Sequence, residues 1–291
     1  MAVESNTTTS ADMIAALDEE FVFNYKQEAD RLMALLGISG VETVAAGTSI
    51  FQVKITGELA DPADRAEGDL VALSKYKAER VAIDSVTPKP YRKLTTAEAI
   101  LMAGPEIAVT RTDRKMASAA RNVLVNDFFA ALKNGTGTAT GTTLQAALAT
   151  ADATLADAME TNGDEGGNVV HFVNRQDAAD YLGKANITTQ NVAGLTYLES
   201  FLGIPYVFLT NKVEKGNLIV TTSENLHAYG VDFAGLATGG LDYATDESGL
   251  VGVSHDPVKN RAAVETNMMS GLKLFPEVTD YIVKATIAPT A

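Results

Sequence analysis

The sequence predicts an α+β protein, and three observations predict it. Residues 111–134 read as one long, heavily apolar helix; residues 48–57 and 77–86 alternate as the two strands of a long hairpin; beyond residue 144, helical and strand periods interleave. At 291 residues the chain can bury a sizeable core and divide into two subdomains with extensions.

Composition narrows the function classes. The absence of Cys excludes a disulfide framework, thiolate chemistry and cysteine metal sites. The 23 basic and 37 acidic residues give a formal charge of -14, which argues against a protein that grips nucleic acid through its phosphates. No apolar run approaches bilayer length, so no spanning segment and no membrane partner is expected. The opening MAVESNTTTSADM lacks the basic and apolar blocks of a secretory signal, and the expectation is a chain soluble and intracellular at synthesis.

The long helix organises the rest. Thr110 with Asp113 suggests a capping-box start, and Asn134-Gly135 a left-handed stop. Lys115, Asn122, Asn126 and Lys133 form its polar stripe. Met116, Ala120, Val123, Leu124, Phe128 and Ala131 form the main apolar face, widened by Val125, Phe129 and Leu132. A helix so apolar around its girth must be covered on more than one side. Asp127 falls within the apolar face and needs exposure or a partner, expected to be an Arg of another element or subunit.

Taken in order, residues 1–10 are polar and Thr-rich. From Ser10, a good N-cap, the apolar positions Ile14, Leu17, Phe21, Tyr25, Leu32 and Leu35 predict an amphipathic helix, or two short ones, stopped by Gly37. It is either a core helix of its own domain or an arm for a neighbouring subunit. In the first hairpin strand Phe51, Val53 and Ile55 oppose Gln52, Lys54 and Thr56; in the second, Val81 and Ile83 oppose Arg80, Ala82 and Asp84. The connection is acidic and turn-rich, and Pro88 and Pro90 follow with Lys89, Arg92 and Lys93. Two strands with one apolar face are marginal alone, so this hairpin needs a surface, on its own domain or on another subunit.

Residues 95–103 read as a short helix ended by Gly104-Pro105, and 135–143 as a flexible loop. Residues 144–160 read as an amphipathic helix, followed by an acidic turn at 161–167. Strands are expected at 169–173, 205–209 and 218–221. A helix capped by Asn174 and Asp177 is expected to run to Gly183, with a helical turn at 223–228. Residues 261–269 and 278–287 read as two long strands around 271–276.

No catalytic constellation emerges, and no cofactor or metal is assigned. Gly135-Thr136-Gly137-Thr138 lacks the Gly-Lys-Ser/Thr of a phosphate-cradling loop. His171, His227 and His255 stand outside any metal spacing and read as structural polar residues. His255-Asp256 has no activated nucleophile to serve. Asp242, Asp246 and Glu247 lack calcium-hand spacing and read as a solvated acidic loop.

The order of elements resembles the tailed-phage major capsid proteins of Hong Kong 97-type fold. The likeness spans nearly the whole chain, most specifically YRKLTTAEAILMA at 91–103 and the long helix closing in DFFAALKNGTGT at 127–138. The resemblance implies an N-terminal arm at 1–46, an extended loop at 47–94, a peripheral domain with a spine helix at 95–143 and 255–291, and an axial domain at 144–254. It implies a non-enzymatic subunit that self-assembles into hexamers and pentamers of an icosahedral shell, a virion component assembled in the host cytoplasm. That shell encloses double-stranded DNA without sequence-specific binding. Portal and decoration proteins would be partners. The chain begins without the long scaffolding segment some members carry, so a separate scaffolding protein is expected; no cross-linking chemistry is assigned. The alternatives are a cellular nanocompartment shell of the same fold, or a soluble α/β enzyme or binding protein.

With that loop placed on a neighbour, charge suggests a contact. The tip carries Glu58, Asp61, Asp64, Glu67 and Asp69 against Arg65. The hairpin base and the long helix start carry Lys89, Arg92, Lys93, Arg111, Arg114 and Lys115. Strands of about ten residues separate the two clusters by roughly 30 Å, beyond a Debye length of about 8 Å. The expectation is that the acidic tip docks near the basic helix start of another subunit.

Overall fold

The computed structural model describes residues 10–60, 71, 73–164, 167–182, 190–192, 195–201, 204–233, 235–236, 239–241, 243–245 and 250–288. Asp61, Asp64, Arg65, Glu67 and Asp69 lie outside the described residues, as do Asp242, Asp246 and Glu247.

Helix α1 (Ser10–Leu36) is a single helix, and Gly37, at φ 76, ends it in the left-handed region that glycine adopts without strain. Its stripe of Phe21, Tyr25, Leu32 and Leu36 is buried within its own chain, and the Tyr25 hydroxyl meets Ser270 Oγ at 3.3 Å. The intrachain alternative therefore holds for these residues. Strand β1 (Glu42–Val44) leads into the hairpin strands β2 (Thr48–Glu58) and β3 (Lys75–Val86), which fall where the alternation predicts.

Strand β4 (Lys89–Thr96), read above only as a basic stretch, precedes α2 (Ala97–Ala103), whose N-cap is the Thr96 hydroxyl. A π-helical turn, Glu106–Arg111, then runs directly into α3 (Thr112–Leu132). Two expectations about this helix fail for local reasons. Because the helix continues back to Pro105, the Thr110–Asp113 box has no free end to cap, and Arg111 precedes α3 with right-handed angles. Lys133 also stays right-handed, and Gly135 serves close packing instead of a left-handed stop: a Cβ there would sit 2.6 Å from the Ile282 side chain. The polar stripe of Lys115, Asn122, Asn126 and Lys133 is exposed as expected.

Residues read as a loop after α3 contain strand β5 (Gly137–Gly141). Helix α4 (Leu144–Asn162) follows, capped by Thr143 and closed by Gly163 at φ 75. Next come β6 (Val169–Asn174), α5 (Arg175–Leu182), β7 (Gln190–Val192), β8 (Leu195–Phe201), β9 (Ile204–Thr210) and β10 (Asn217–Thr222). Asn174 Oδ1 accepts from Gln176 N at 2.8 Å and caps α5; Asp177 instead accepts from Gly216 N at 2.7 Å. Of the expected helical turn at 223–228, only 224–225 are a turn, and strand β11 (Leu226–Val231) takes up the second half. The chain ends through β12 (Ala244–Thr245), β13 (Val251–Val258), β14 (Ala263–Ser270), β15 (Lys273–Pro276) and β16 (Val283–Ile287).

Among the described residues the main sheet has seven strands in the order β5-β16-β10-β6-β9-β8-β7. The others are β12-β13-β14-β4, β1-β11-β15 and the β2-β3 ribbon. The C-terminal strands therefore part company: β14 pairs with β4 over its whole length, whereas β16 enters the seven-stranded sheet.

Alternation along the central strands feeds two cores. Val170, Phe172, Phe208 and Ile219 face α1 and α3, while Val173, Val207, Leu218 and Val220 face α4 and α5. Where α3 crosses the sheet, Phe172 meets Phe128 and Phe129 edge-on, with centroids at 5.8 and 5.2 Å, and stacks on Phe208 at 5.4 Å. Offset and edge-on pairs of this kind add to plain burial. Truncating Phe172 to Ala leaves a void between helix and sheet and should cost about 3–5 kcal/mol. A denaturant midpoint lowered for Phe172→Ala, and less so for Phe172→Leu, checks this.

Candidate functional site

Two features stand apart from the ordinary core: the β2–β3 ribbon and a buried charge cluster beneath α1.

The ribbon joins the body at its base. There Ile50, Val86 and Ile83 pack with Val231, Phe233 and Phe275, and Lys273 Nζ donates to the Asp84 carboxylate and, at 3.2 Å, to Ser85 O. A bulge resets the register, so that Ile50 pairs with Asp84 but Phe51 pairs with Ala82, leaving Ile83 as the extra residue. Directly opposed residues share a face. Phe51 therefore sides with Ala82, and Val81 with Gln52, on opposite faces. This corrects the single apolar face expected from each strand alone, because the bulge shifts one strand's alternation against the other's. Away from the base Phe51, Tyr76 and Val81 are exposed, and the Arg80 guanidinium lies over the Phe51 ring at 4.4 Å.

The charge cluster joins four elements. His255, on β13, lies between Asp18 of α1, hydrogen-bonded through Nδ1, and Asp113 of α3, 3.1 Å from Nε2. Asp113 also accepts from Lys93 Nζ of β4 at 2.5 Å, and Lys93 donates further to Thr112 Oγ1 at 2.6 Å and Val109 O at 3.2 Å. The His255 side chain is 3% exposed and that of Asp113 7%. Burial opposes the charged ring, but hydrogen bonds to Asp113 and Asp18, with their charges, outweigh it and raise His255 from 6.5 to about 9. Burial would likewise raise Asp113; hydrogen bonds from His255 and Lys93 outweigh it and hold the carboxyl below its ordinary 3.8. Two carboxylates and two cations thus neutralise each other in a largely buried seam and clamp α1 to the sheet and the long helix.

The cluster clamps α1 in place, and His255 and Asp113 also help line a groove of about 570 Å³ between α1 and α3. Asp256, next to His255 in sequence, accepts from Ser254 Oγ at 2.9 Å. His171 bonds Asp152 at 2.7 Å, and His227 lies 2.9 Å from Glu277. Among the described residues no three His, Asp or Glu side chains are grouped to hold a metal ion. The same residues contain no helix long and apolar enough to cross a membrane.

The expected contact residues scatter in their roles. Lys93 leaves the exposed basic set, because the cluster occupies it. Arg92 meets Glu265 at 2.6 Å across β4 and β14. Arg111 lies 4.0 Å from Glu106, Arg114 lies 3.4 Å from Glu20 of α1, and Lys115 is exposed on the first turn of α3. Glu58 ends β2. Asp127 is half exposed and accepts from Lys89, not from an Arg. Sequence reasoning missed Asp18 and Asp113 as a pair. Their signal was a carboxylate on an apolar stripe: Asp18 precedes Phe21 by three residues, and Asp113 precedes Ala117 by four.

No family model matches this chain, and no curated protein matches it. Solved structures do. The mature capsid of bacteriophage PhiM1 aligns over 85% of this chain and 85% of its own, with a TM-score of 0.54 at 9% identity. The capsid of Cyanophage A-1(L) covers 89% and 93%, at TM-score 0.54 and 12% identity. The capsid of a native GTA particle covers 88% and 90%, at TM-score 0.51 and 14% identity. The fold is the Hong Kong 97 type of phage major capsid proteins. Within this capsid fold α3 is the long helix expected as the spine, and β2–β3 is the extended loop.

The clamp has a defined pH window. His255, raised in the folded state, stabilises fully below 6.5, and that contribution is lost as pH rises through about 9. Asp113, lowered in the folded state, contributes above 3.8, and its contribution is lost as pH falls below that value. His255→Ala removes the cation that Asp18 is hydrogen-bonded to and leaves Asp113 with Lys93 alone, and should cost about 3–5 kcal/mol. Thermal melts should show the loss at pH 6, with the gap between variant and parent narrowing above pH 9.

Proposed function

We propose that this chain is the structural subunit of a capsid, self-assembling into hexamers and pentamers of an icosahedral shell around double-stranded DNA. Its role is that of a virion component rather than an enzyme. The observation that carries this reading is the ribbon: two strands of 11 and 12 residues that pack on their own chain at the base and leave apolar residues exposed beyond it. A ribbon of this kind is marginal in water without a surface, and a shell supplies one in the next subunit. The fold shared with phage capsid proteins supports the same reading. The charge of -14 suits a wall that confines DNA without gripping its phosphates.

On this reading the chain divides into an arm at 1–46, the extended loop at 47–94, a peripheral part at 95–143 and 255–291, and an axial part at 144–254, with β5 and β16 lending strands to the axial sheet. Glu58, Asp61, Asp64, Glu67 and Asp69 of one subunit would approach Arg92, Arg111, Arg114 and Lys115 of the next, each exposed pair contributing under about 1 kcal/mol. A separate scaffolding protein, a portal and decoration proteins are the further partners, with assembly in the host cytoplasm. A nanocompartment shell would differ in its contents.

Excising residues 62–68 and closing the ribbon with a tight turn should leave the monomer folded by circular dichroism, while electron microscopy shows shells lost or misshapen. Unaltered shells would remove the loop from assembly. Nuclease-resistant DNA inside shells isolated from their natural source is expected; protein cargo in its place would favour the nanocompartment.

A further inference from the structure

The small sheet β1-β11-β15 is paired along one edge of β11 for only half of that strand. β15 runs beside β11 from Leu226 to Tyr229, whereas β1 joins the opposite edge only from Tyr229 onward, as Glu42–Tyr229, Thr43–Gly230 and Val44–Val231. Asp232 N donates to Val44 O at 2.9 Å, so by alternation residues 228, 230 and 232 turn their N–H groups toward β1. The Ala228 N–H therefore points past the end of that ladder, and among the described residues no strand covers the edge at Leu226–Ala228. There residues 37–42 swing away from β11, and the two segments enclose a groove of about 550 Å³ whose walls include Ser39, Gly40, Glu42, Glu224, His227 and Tyr229. A strand edge that opens onto a groove is a template for a further strand.

Charge selects what that strand carries. Glu42 and Glu224 are exposed in the walls, and among the described residues no Lys or Arg lines the groove. His227 lies 2.9 Å from a third carboxylate, Glu277. Gly37 and Ser223 also line a second groove of about 490 Å³, which adds Asp152 and His171 and, among the described residues, again no Lys or Arg. His171 is 2% exposed; its Nε2 bonds Asp152 at 2.7 Å, and its Nδ1 has no protein partner. An ionised carboxylate only accepts, so in the neutral ring Nε2–H is donated to Asp152 and Nδ1 is left an acceptor without a donor. A buried polar atom left so is costly, and a ligand's N–H would satisfy it.

We propose that the groove beside β11 is a docking slot for a short, basic, extended segment of another protein. The backbone of that segment adds to the Leu226–Ala228 edge, its Lys or Arg side chains meet Glu42 and Glu224, and a further cationic group sits on Asp152 and His171 in the adjoining groove. Main-chain bonds hold a segment of this kind, and its side chains decide which one is accepted. Three residues of edge, about 10 Å, make the contact short and reversible. The chain's charge of -14 draws a basic segment in from a distance. The slot belongs to the single chain and does not depend on the shell reading.

The test uses the full chain and a fluorescein-labelled peptide, Val-Lys-Val-Lys-Val-Lys, followed by anisotropy at physiological salt. Saturable binding is expected. Val-Glu-Val-Glu-Val-Glu should bind at least tenfold more weakly, as should the Lys peptide N-methylated at alternate residues, which cannot pair as a strand. Saturating peptide should slow amide exchange at Ala228 at least fivefold. Glu42→Gln with Glu224→Gln should weaken binding at least fivefold while the melt is unchanged. Absence of saturable binding overturns the proposal, and so does equal binding of the N-methylated peptide, because charge alone would then hold it. Should the double variant not fold, Gly40→Trp decides. Gly40 lies outside the left-handed region and a Cβ there meets no atom within 4 Å, so the added bulk enters the slot without strain. A tenfold loss of binding supports the slot, and unchanged binding overturns it.

Discussion

A two-stranded ribbon projecting from a packed body is the constraint on which the rest of this structure depends, because backbone hydrogen bonds between two strands do not offset the entropy of ordering them in water. In this chain the ribbon is anchored at its base by Ile50, Val86 and the Asp84–Lys273 pair, and beyond that it exposes apolar side chains on both faces. The bulge at Ile50/Phe51 explains the arrangement: it turns Ile83 toward the base cluster and throws Phe51 and Val81 to opposite sides. On the proposed capsid reading, a chain built this way is completed by a neighbouring subunit. The shell interpretation follows from that incompleteness as much as from the shared fold.

The body has the opposite character. One mixed sheet carries α1 and α3 on one face and α4 and α5 on the other, and the Phe128, Phe129, Phe172 and Phe208 cluster fixes where α3 crosses. The Asp18–His255–Asp113–Lys93 clamp then ties α1 to this frame. Buried ion clusters gain little net stability over apolar packing but lose much when one member is removed. A clamp of this kind favours one seating of α1, with both carboxylates at one imidazolium.

Much of this was legible in the sequence because period is a local property. The β2 and β3 alternation, the long α3 run, and the Gly37 stop of α1 each needed no knowledge of distant residues. What failed depended on partners far away in sequence. Strand β5, GTATG, has no strand-like apolar pattern; it is extended because β16 pairs beside it and Gly141 lies close against α4. Gly135 read as a left-handed stop, yet it is small because Ile282 lies against it. The charge cluster was the least legible, since its members are separated by up to 237 positions and each alone is an ordinary polar residue.

The central claim, that the ribbon is completed only by another subunit, is tested most directly by amide hydrogen exchange of the β2 and β3 strands in dissociated subunits and in assembled particles. The account predicts weak protection in the free subunit beyond the base residues Ile50 and Val86, rising at least tenfold on assembly, while α3 and the central strands β6 and β10 stay equally protected in both. Full protection of the ribbon already in the free subunit would contradict it.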